Sequence, residues 1–178
     1  MAFGVNALAS SNNAIAIGRY ANATGNVAIA FGMFASAISN DTFAAGAFAQ
    51  AISDNALAIG TNATATGENT MAIGTCSNAY LADAFAAGLQ AEAIGTNSMS
   101  LGFQSKALKT NSLAYGTRAN ASADNAMATG TGAIASGNES IASGTSAQAT
   151  TNGAIAIGPL AMAKASETIA MGARAEAT

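Results

Sequence analysis

Few side chains in this chain are suited to chemistry, and their spacing argues against catalysis. Cys76 is the only cysteine, and no histidine stands anywhere in the 178 residues. A thiol needs an adjacent base or a lowered pKa before it attacks, and histidine is the usual base, proton shuttle and metal ligand. A lone cysteine cannot close an intrachain disulfide, so Cys76 reads as a free thiol or, in a secreted protein, as one half of an intermolecular bond, the free thiol being the plainer reading. Seven of the nine acids, among them Asp41, Asp54, Glu68 and Asp124, lie in successive segments rich in Asn, Gly, Ser and Thr. There they read as solvated turn caps; a calcium ladder needs denser, regular Asp. Thr129, Gly130, Thr131 and Gly132 have no following lysine, so they are no phosphate loop. We expect no enzyme, no cofactor and no metal.

What remains is recognition by surface side chains. Tyr20, Phe34 and Phe48 recur at a spacing of fourteen residues, and so do Ile38 and Ile52. Rigid, exposed aromatics are favoured where binding energy concentrates, which makes these five the candidate ligand-binding residues. The competing reading is that rows of like residues only stabilise a stack through neighbouring-strand contact. Lys106, Lys109 and Arg118 are a second candidate, for anionic partners, against the plainer reading of a solvated face. Threonines at Thr61 and Thr75, and at Thr117, Thr131 and Thr145, share one spacing. Thr64 and Thr66 have none above or below them, so no two-column array for ice exists.

The spacing of fourteen belongs to the whole chain. Glycines mark it at Gly4, Gly18, Gly32, Gly46, Gly60, Gly74, Gly88, Gly102, Gly116, Gly130, Gly144, Gly158 and Gly172, thirteen copies without insertion or deletion. A fixed period is the signature of a repeat architecture. Three residues before each glycine stands a large apolar side chain, two before it alanine except at Ser100, and four before it Ala, Ser or Thr. Five after it is always alanine, and three after it alanine except at Ser77 and Ser105. This period-two alternation predicts two strands per repeat, each about five residues long, one ending at the glycine and one over offsets +2 to +6. Offsets +7 to +9 carry turn formers. The result is all-β: a parallel β-solenoid of fourteen-residue coils, one domain over 1–178, rising about 4.8 Å per coil or roughly 60 Å in all.

Composition agrees. The chain is 51% hydrophobic but only 6% aromatic and 8% charged, so its interior must be thin and filled by small residues. A net charge of −3 opposes nucleic acid, where a basic stripe is expected. No run of about 18 apolar residues spans a membrane, and the N-terminus does not read as a signal peptide. Offsets −4, −2, 0, +3 and +5 are small, carry no Lys, Arg, Asp or Glu, and form the interior. The large residues at −3 and −1 then point outward. They are Ile15, Ile17, Ile29, Phe31, Phe43, Leu57, Ile59, Met71, Ile73, Phe85, Met99, Leu101, Leu113, Tyr115, Met127, Ile141, Ile155, Ile157, Ile169 and Met171. Soluble monomers rarely expose so large an apolar patch, so this ribbon is expected to meet further copies of the chain around a symmetry axis.

The repeat resembles the head of the trimeric autotransporter adhesins, the YadA type. That pattern runs small residue, apolar–Ala–apolar–Gly, two variable residues, Ser or Ala, any residue, Ala, any residue and often Gly. Ala14, Ile15, Ala16, Ile17, Gly18, Ala21, Ala23 and Gly25 match it in order, as do Ala56, Leu57, Ala58, Ile59, Gly60, Ala63, Ala65 and Gly67. The departures are a later glycine kept only at Gly25, Gly67, Gly95 and Gly137, and polar residues at Thr129 and Ser143. The resemblance implies a left-handed parallel β-roll, a parallel homotrimer and a place on the bacterial cell surface, at the outer membrane, as part of a longer chain. It implies binding to host extracellular matrix or cell-surface protein, or to itself, with no direct membrane contact by this segment. Signal peptide, neck, stalk and membrane anchor are expected to lie outside it. The alternatives are a structural spacer without a ligand and a phage or fibre protein sharing the solenoid.

Overall fold

Two residues in every fourteen adopt left-handed backbone, and this sets the length of every strand. The computed structural model describes residues 1–178, and its strands are two or three residues long. The first strand of a coil covers offsets −3 to −1, as in Ile15–Ile17 and Leu57–Ile59. The second covers only +4 and +5, as in Asn22–Ala23 and Thr64–Ala65. The five-residue strands expected from alternation are therefore corrected. Offsets +2 and +9 are turn corners, with φ of +58° at Tyr20 and +59° at Val27. At the first corner the Ala21 N–H donates to the Gly18 carbonyl at 3.2 Å, and the Tyr20 N–H donates to Val5 of the preceding coil at 2.9 Å. Seven residues on, Ala28 donates to Gly25 at 3.3 Å and Val27 to Asn12 at 3.0 Å. The coil is thus two half-turns of the same construction.

The chain divides into two units, Met1–Gln90 and Ala91–Thr178. In the first, strands from Ala2–Phe3 to Phe85–Ala87 pair in parallel, each with its counterpart fourteen residues on. A second parallel sheet runs from Leu8–Ala9 to Asn78–Ala79 in the same register. The other unit repeats the arrangement, with sheets from Met99–Leu101 to Ile169–Met171 and from Glu92–Ala93 to Glu176–Ala177. With no insertion in any coil, side chains at one offset stack into straight columns.

Between the two sheets of each unit lies a core made almost wholly of alanine. Ala16, Ala23, Ala58, Ala65, Ala128 and Ala135 have no exposed surface, as the interior assignment requires. The marker glycines complete this close approach. A Cβ on Gly46 would sit 2.5 Å from the Gly60 carbonyl oxygen, and its φ of +137° is one that L side chains rarely adopt. Most buried hydroxyls at offset −4 are satisfied within their own turn, as where Thr42 donates to Ser39 O at 2.7 Å and Ser98 to Gly95 O at 2.6 Å; Ser140 Oγ is buried without a partner. The two exceptions to the alanine rule at offsets −2 and +3 of one coil, Ser100 and Ser105, face each other across the interior with their oxygens 2.7 Å apart. Ser105 also donates to Gly102 O at 3.0 Å.

Two stability measurements test this core. Ser105→Ala strands the Ser100 hydroxyl and is expected to cost about 1–3 kcal/mol, whereas Ser100→Ala with Ser105→Ala restores the alanine pattern and is expected to be near neutral. Urea unfolding of the singles and the double checks it; a double that loses as much as Ser105→Ala alone contradicts the pairing. Ala65→Phe overfills the interior and is expected to cost about 3 kcal/mol or more. Unchanged thermal melting of that variant would place offset +5 outside.

Candidate functional site

The outward face of the first sheet carries the ribbon. In the first unit one column runs Ile15, Ile29, Phe43, Leu57, Met71, Phe85, and beside it Ile17, Phe31, Ala45, Ile59, Ile73, Ala87. In the second the columns are Met99, Leu113, Met127, Ile141, Ile155, Ile169, and Leu101, Tyr115, Thr129, Ser143, Ile157, Met171. All twenty large residues named from the sequence lie on this outer face, and none is buried. Side chains of the adjoining coils, about 4.8 Å above and below, screen each one in part, so that Met71 is 38% and Tyr115 59% exposed. Covering a third of such a side chain is worth about 0.5–1 kcal/mol, and the columns multiply it. The polar neighbours Thr129 and Ser143 are the one place where two successive coils break the apolar run.

The ligand candidates divide into two groups. Tyr20, Phe34 and Phe48 form a ladder of parallel rings, with centroids 4.9 and 5.2 Å apart and planes within 7° and 9°. They lie at the corner at offset +2, not on a strand face as alternation implied, because that residue is left-handed. Ile38 and Ile52 stand at the other end of the short second strand, so the structure does not gather them with the rings. Arg19 is a member that sequence reading missed. Its guanidinium lies 5.8 Å from the centroids of both Tyr20 and Phe34, and its Nη2 is 3.3 Å from the Met33 sulfur. The available signal was Arg19 standing one offset before the ring column, beside Met33 at its own offset.

The ladder is strained where most of the opposite corner is not, Val27 being an exception at offset +9. Offset +9 carries residues that tolerate left-handed φ, such as Asn13, Asp41, Asn55 and Asn69. Several hydrogen-bond up the column, Asn55 Nδ2 to Asn69 Oδ1 at 3.0 Å and Asn69 Nδ2 to Asp83 Oδ1 at 3.2 Å. At offset +2, Tyr20, Phe34 and Phe48 hold φ of +58° to +60°. For bulky residues this is an outlier, worth about 1–2 kcal/mol each. Parallel stacking returns about 0.5–1.5 kcal/mol per pair. Stability alone is thus a poor reason for three successive rings.

Other candidates are accounted for. Lys106 pairs with Glu92 at 3.0 Å. Arg118 lies 5.9 Å from the Phe103 ring centroid and donates to Gln104 at 3.3 Å. These cations therefore do not join Lys109 as a free basic group. Turn acids act as caps: Asp54 accepts from the Asn40 N–H at 3.0 Å and Asp124 from the Thr110 N–H at 3.1 Å. No three His, Cys, Asp or Glu side chains are grouped to hold a metal. Cys76 is half-buried at another left-handed corner, and no helix is long and apolar enough to cross a membrane.

Fold and surface together define a class: a two-sheet parallel solenoid with an alanine interior that displays one apolar face. Comparison with protein families matches the YadA head domain repeat (2 copies) over residues 1–21, 9–35, 37–63, 51–77, 65–91, 93–119, 109–133 and 135–161. The chain belongs to the YadA head family, and that family implies a surface-exposed, adhesin-type role of the trimeric autotransporter kind. Comparison with curated proteins gives no match.

Replacing Tyr20, Phe34 and Phe48 together by Asn relieves three strained corners and removes two stacks. The expected result is a stability within about 2 kcal/mol of the parent by urea unfolding. A loss well above about 3 kcal/mol would make the ladder a structural staple.

Proposed function

We propose that this chain is the head of a bacterial surface adhesin, assembled as a parallel homotrimer and carrying no catalytic activity. The observation that carries the reading is the ribbon at offsets −3 and −1, repeated on coil after coil. A cyclic assembly buries the same face of every copy. The family's character supports the trimer number, the outer-membrane attachment and the host partner, and the ribbon supports self-association.

The head binds host extracellular matrix or cell-surface protein, or other heads, through outward residues, with the ring ladder as the first choice and Ile38 and Ile52 as a second patch. Its mechanism is multivalent display. Linked copies of a weak site gain avidity by orders of magnitude without new contacts. A spacer role is the second reading. It is favoured by the second unit, where the corners at offset +2 carry Gln104, Arg118, Gly132, Ser146, Leu160 and Arg174 and no aromatic ladder.

Sedimentation at several concentrations is expected to give a species of three times the chain mass, and Ile73→Glu, which places a charge on the ribbon, to yield folded monomers. A parent that stays monomeric contradicts the assembly. Binding is then measured to a panel of matrix proteins and to the head itself. Phe34→Ser with Phe48→Ser is expected to abolish the detected binding; unchanged binding would mean that the ladder is not the site and would favour the patch at Ile38 and Ile52.

A further inference from the structure

Cyclic assembly has a consequence for the ring ladder. The first strands run across the coil stack, and in the assembly proposed above their outer faces turn toward the axis. Directional strands around a closed ring meet head to tail. The corner that follows a first strand, offsets +1 and +2, therefore abuts the corner that precedes a first strand in the neighbouring copy, offsets +8 and +9 of the coil before. In the first unit the former corner carries the rings. The latter carries Asp41 and Asp54, with Asp41 in the corner that leads into the strand Phe43–Ala45 and Phe48 in the corner that follows it. Phe48 of one copy and Asp41 of the next thus share a level, with Asp54 one coil along.

Charge and ring chemistry agree on what this junction takes. Residues 1–90 hold one base, Arg19, against four acids, Asp41, Asp54, Glu68 and Asp83, and this accounts for the whole formal charge of −3. All four acids lie in the corner at +8 or +9. Arg19 already lies against Tyr20 and Phe34 at 5.8 Å, so the ladder is a surface that accepts a guanidinium. Phe48 is exposed at the far end of the ladder, on the level where the neighbour's carboxylates arrive. Guanidinium groups stack on aromatic faces and pair with carboxylates, and removal from water strengthens the ring contact.

We infer that each junction between neighbouring copies forms a notch for a cationic, arginine-rich segment of a partner protein. Phe48 and the adjoining rings form one wall, and Asp41 and Asp54 of the neighbouring copy form the other. The inference rests on the homotrimer reading and deepens it by naming the partner's chemistry and placing the site between chains.

The test uses the intact chain and a labelled hexa-arginine peptide, followed by fluorescence anisotropy at physiological salt, after sedimentation has established the trimer. Hexa-arginine is expected to bind about tenfold more tightly than hexa-lysine, since the ammonium does not stack as the guanidinium does. Phe34→Ser with Phe48→Ser is expected to erase that preference. Asp41→Asn with Asp54→Asn is expected to weaken both peptides about tenfold; Asn suits the left-handed corner and keeps the acceptor that Asp54 offers Asn40. The decisive arm is co-assembly of the two double variants. Every mixed trimer then contains one junction with intact rings facing intact carboxylates, whereas a site within one chain would be defective in every copy. Recovery of tight binding at one peptide per mixed trimer supports the notch. Mixed trimers that bind no better than either parent variant overturn it, as does a native trimer that binds arginine and lysine peptides alike. A native chain that sediments as a monomer instead overturns the homotrimer reading itself, and the notch with it.

Discussion

Two backbone layers joined by corners of so few residues approach so closely that only methyl groups and a few hydroxyls fit between them. Everything else follows from that closeness. It demands alanine at the inward offsets and glycine where successive coils nearly touch. It also leaves the chain short of buried large side chains, so its cohesion comes largely from the hydrogen-bond ladder between coils and from columns of like residues. A core this thin cannot hide its bulky residues, and they are displaced to the outer face. The apolar ribbon is thus the counterpart of the thin interior, and the proposed self-association would supply the burial that other folds find within one chain.

The two corners of the coil are built alike and used differently. Both place a residue in the left-handed region. At offset +9 the chain mostly meets that demand with Asn and Asp, which tolerate the conformation and add hydrogen bonds along the column. At offset +2 the first unit holds three aromatic rings in the same strained backbone, exposed and parallel. Strain that stability does not require marks a position held for another reason, and in an adhesin family contact with a partner is the natural one.

Site and assembly are linked through this geometry. In the proposed assembly a ribbon facing the axis fixes which corner of one copy stands beside which corner of the next. There, residues on opposite edges of a single coil would become neighbours between copies. The proposed junction would recur once per copy around the axis, the arrangement in which weak contacts add.

Much of this was legible in the sequence because a fourteen-residue period without insertions converts position directly into place. The solenoid, its parallel register, the alanine interior and the outward ribbon all follow from which residue types recur at which offset. The lengths of the strands did not follow, since alternation at offsets +2 to +6 is interrupted by a left-handed corner that aromatic residues do not advertise. The seven-residue symmetry of the two half-turns was the overlooked clue, with Asn columns at +9 marking what +2 must also do. Ser100 and Ser105 stood out in the sequence as separate exceptions; only the packed interior makes them partners. The fourteen-residue spacing stacks the rings in columns, but the tertiary structure alone decides that Arg19 lies against them and that Ile38 and Ile52 stand apart. Column membership is set by the period, whereas contact across a coil depends on how its corners turn the chain.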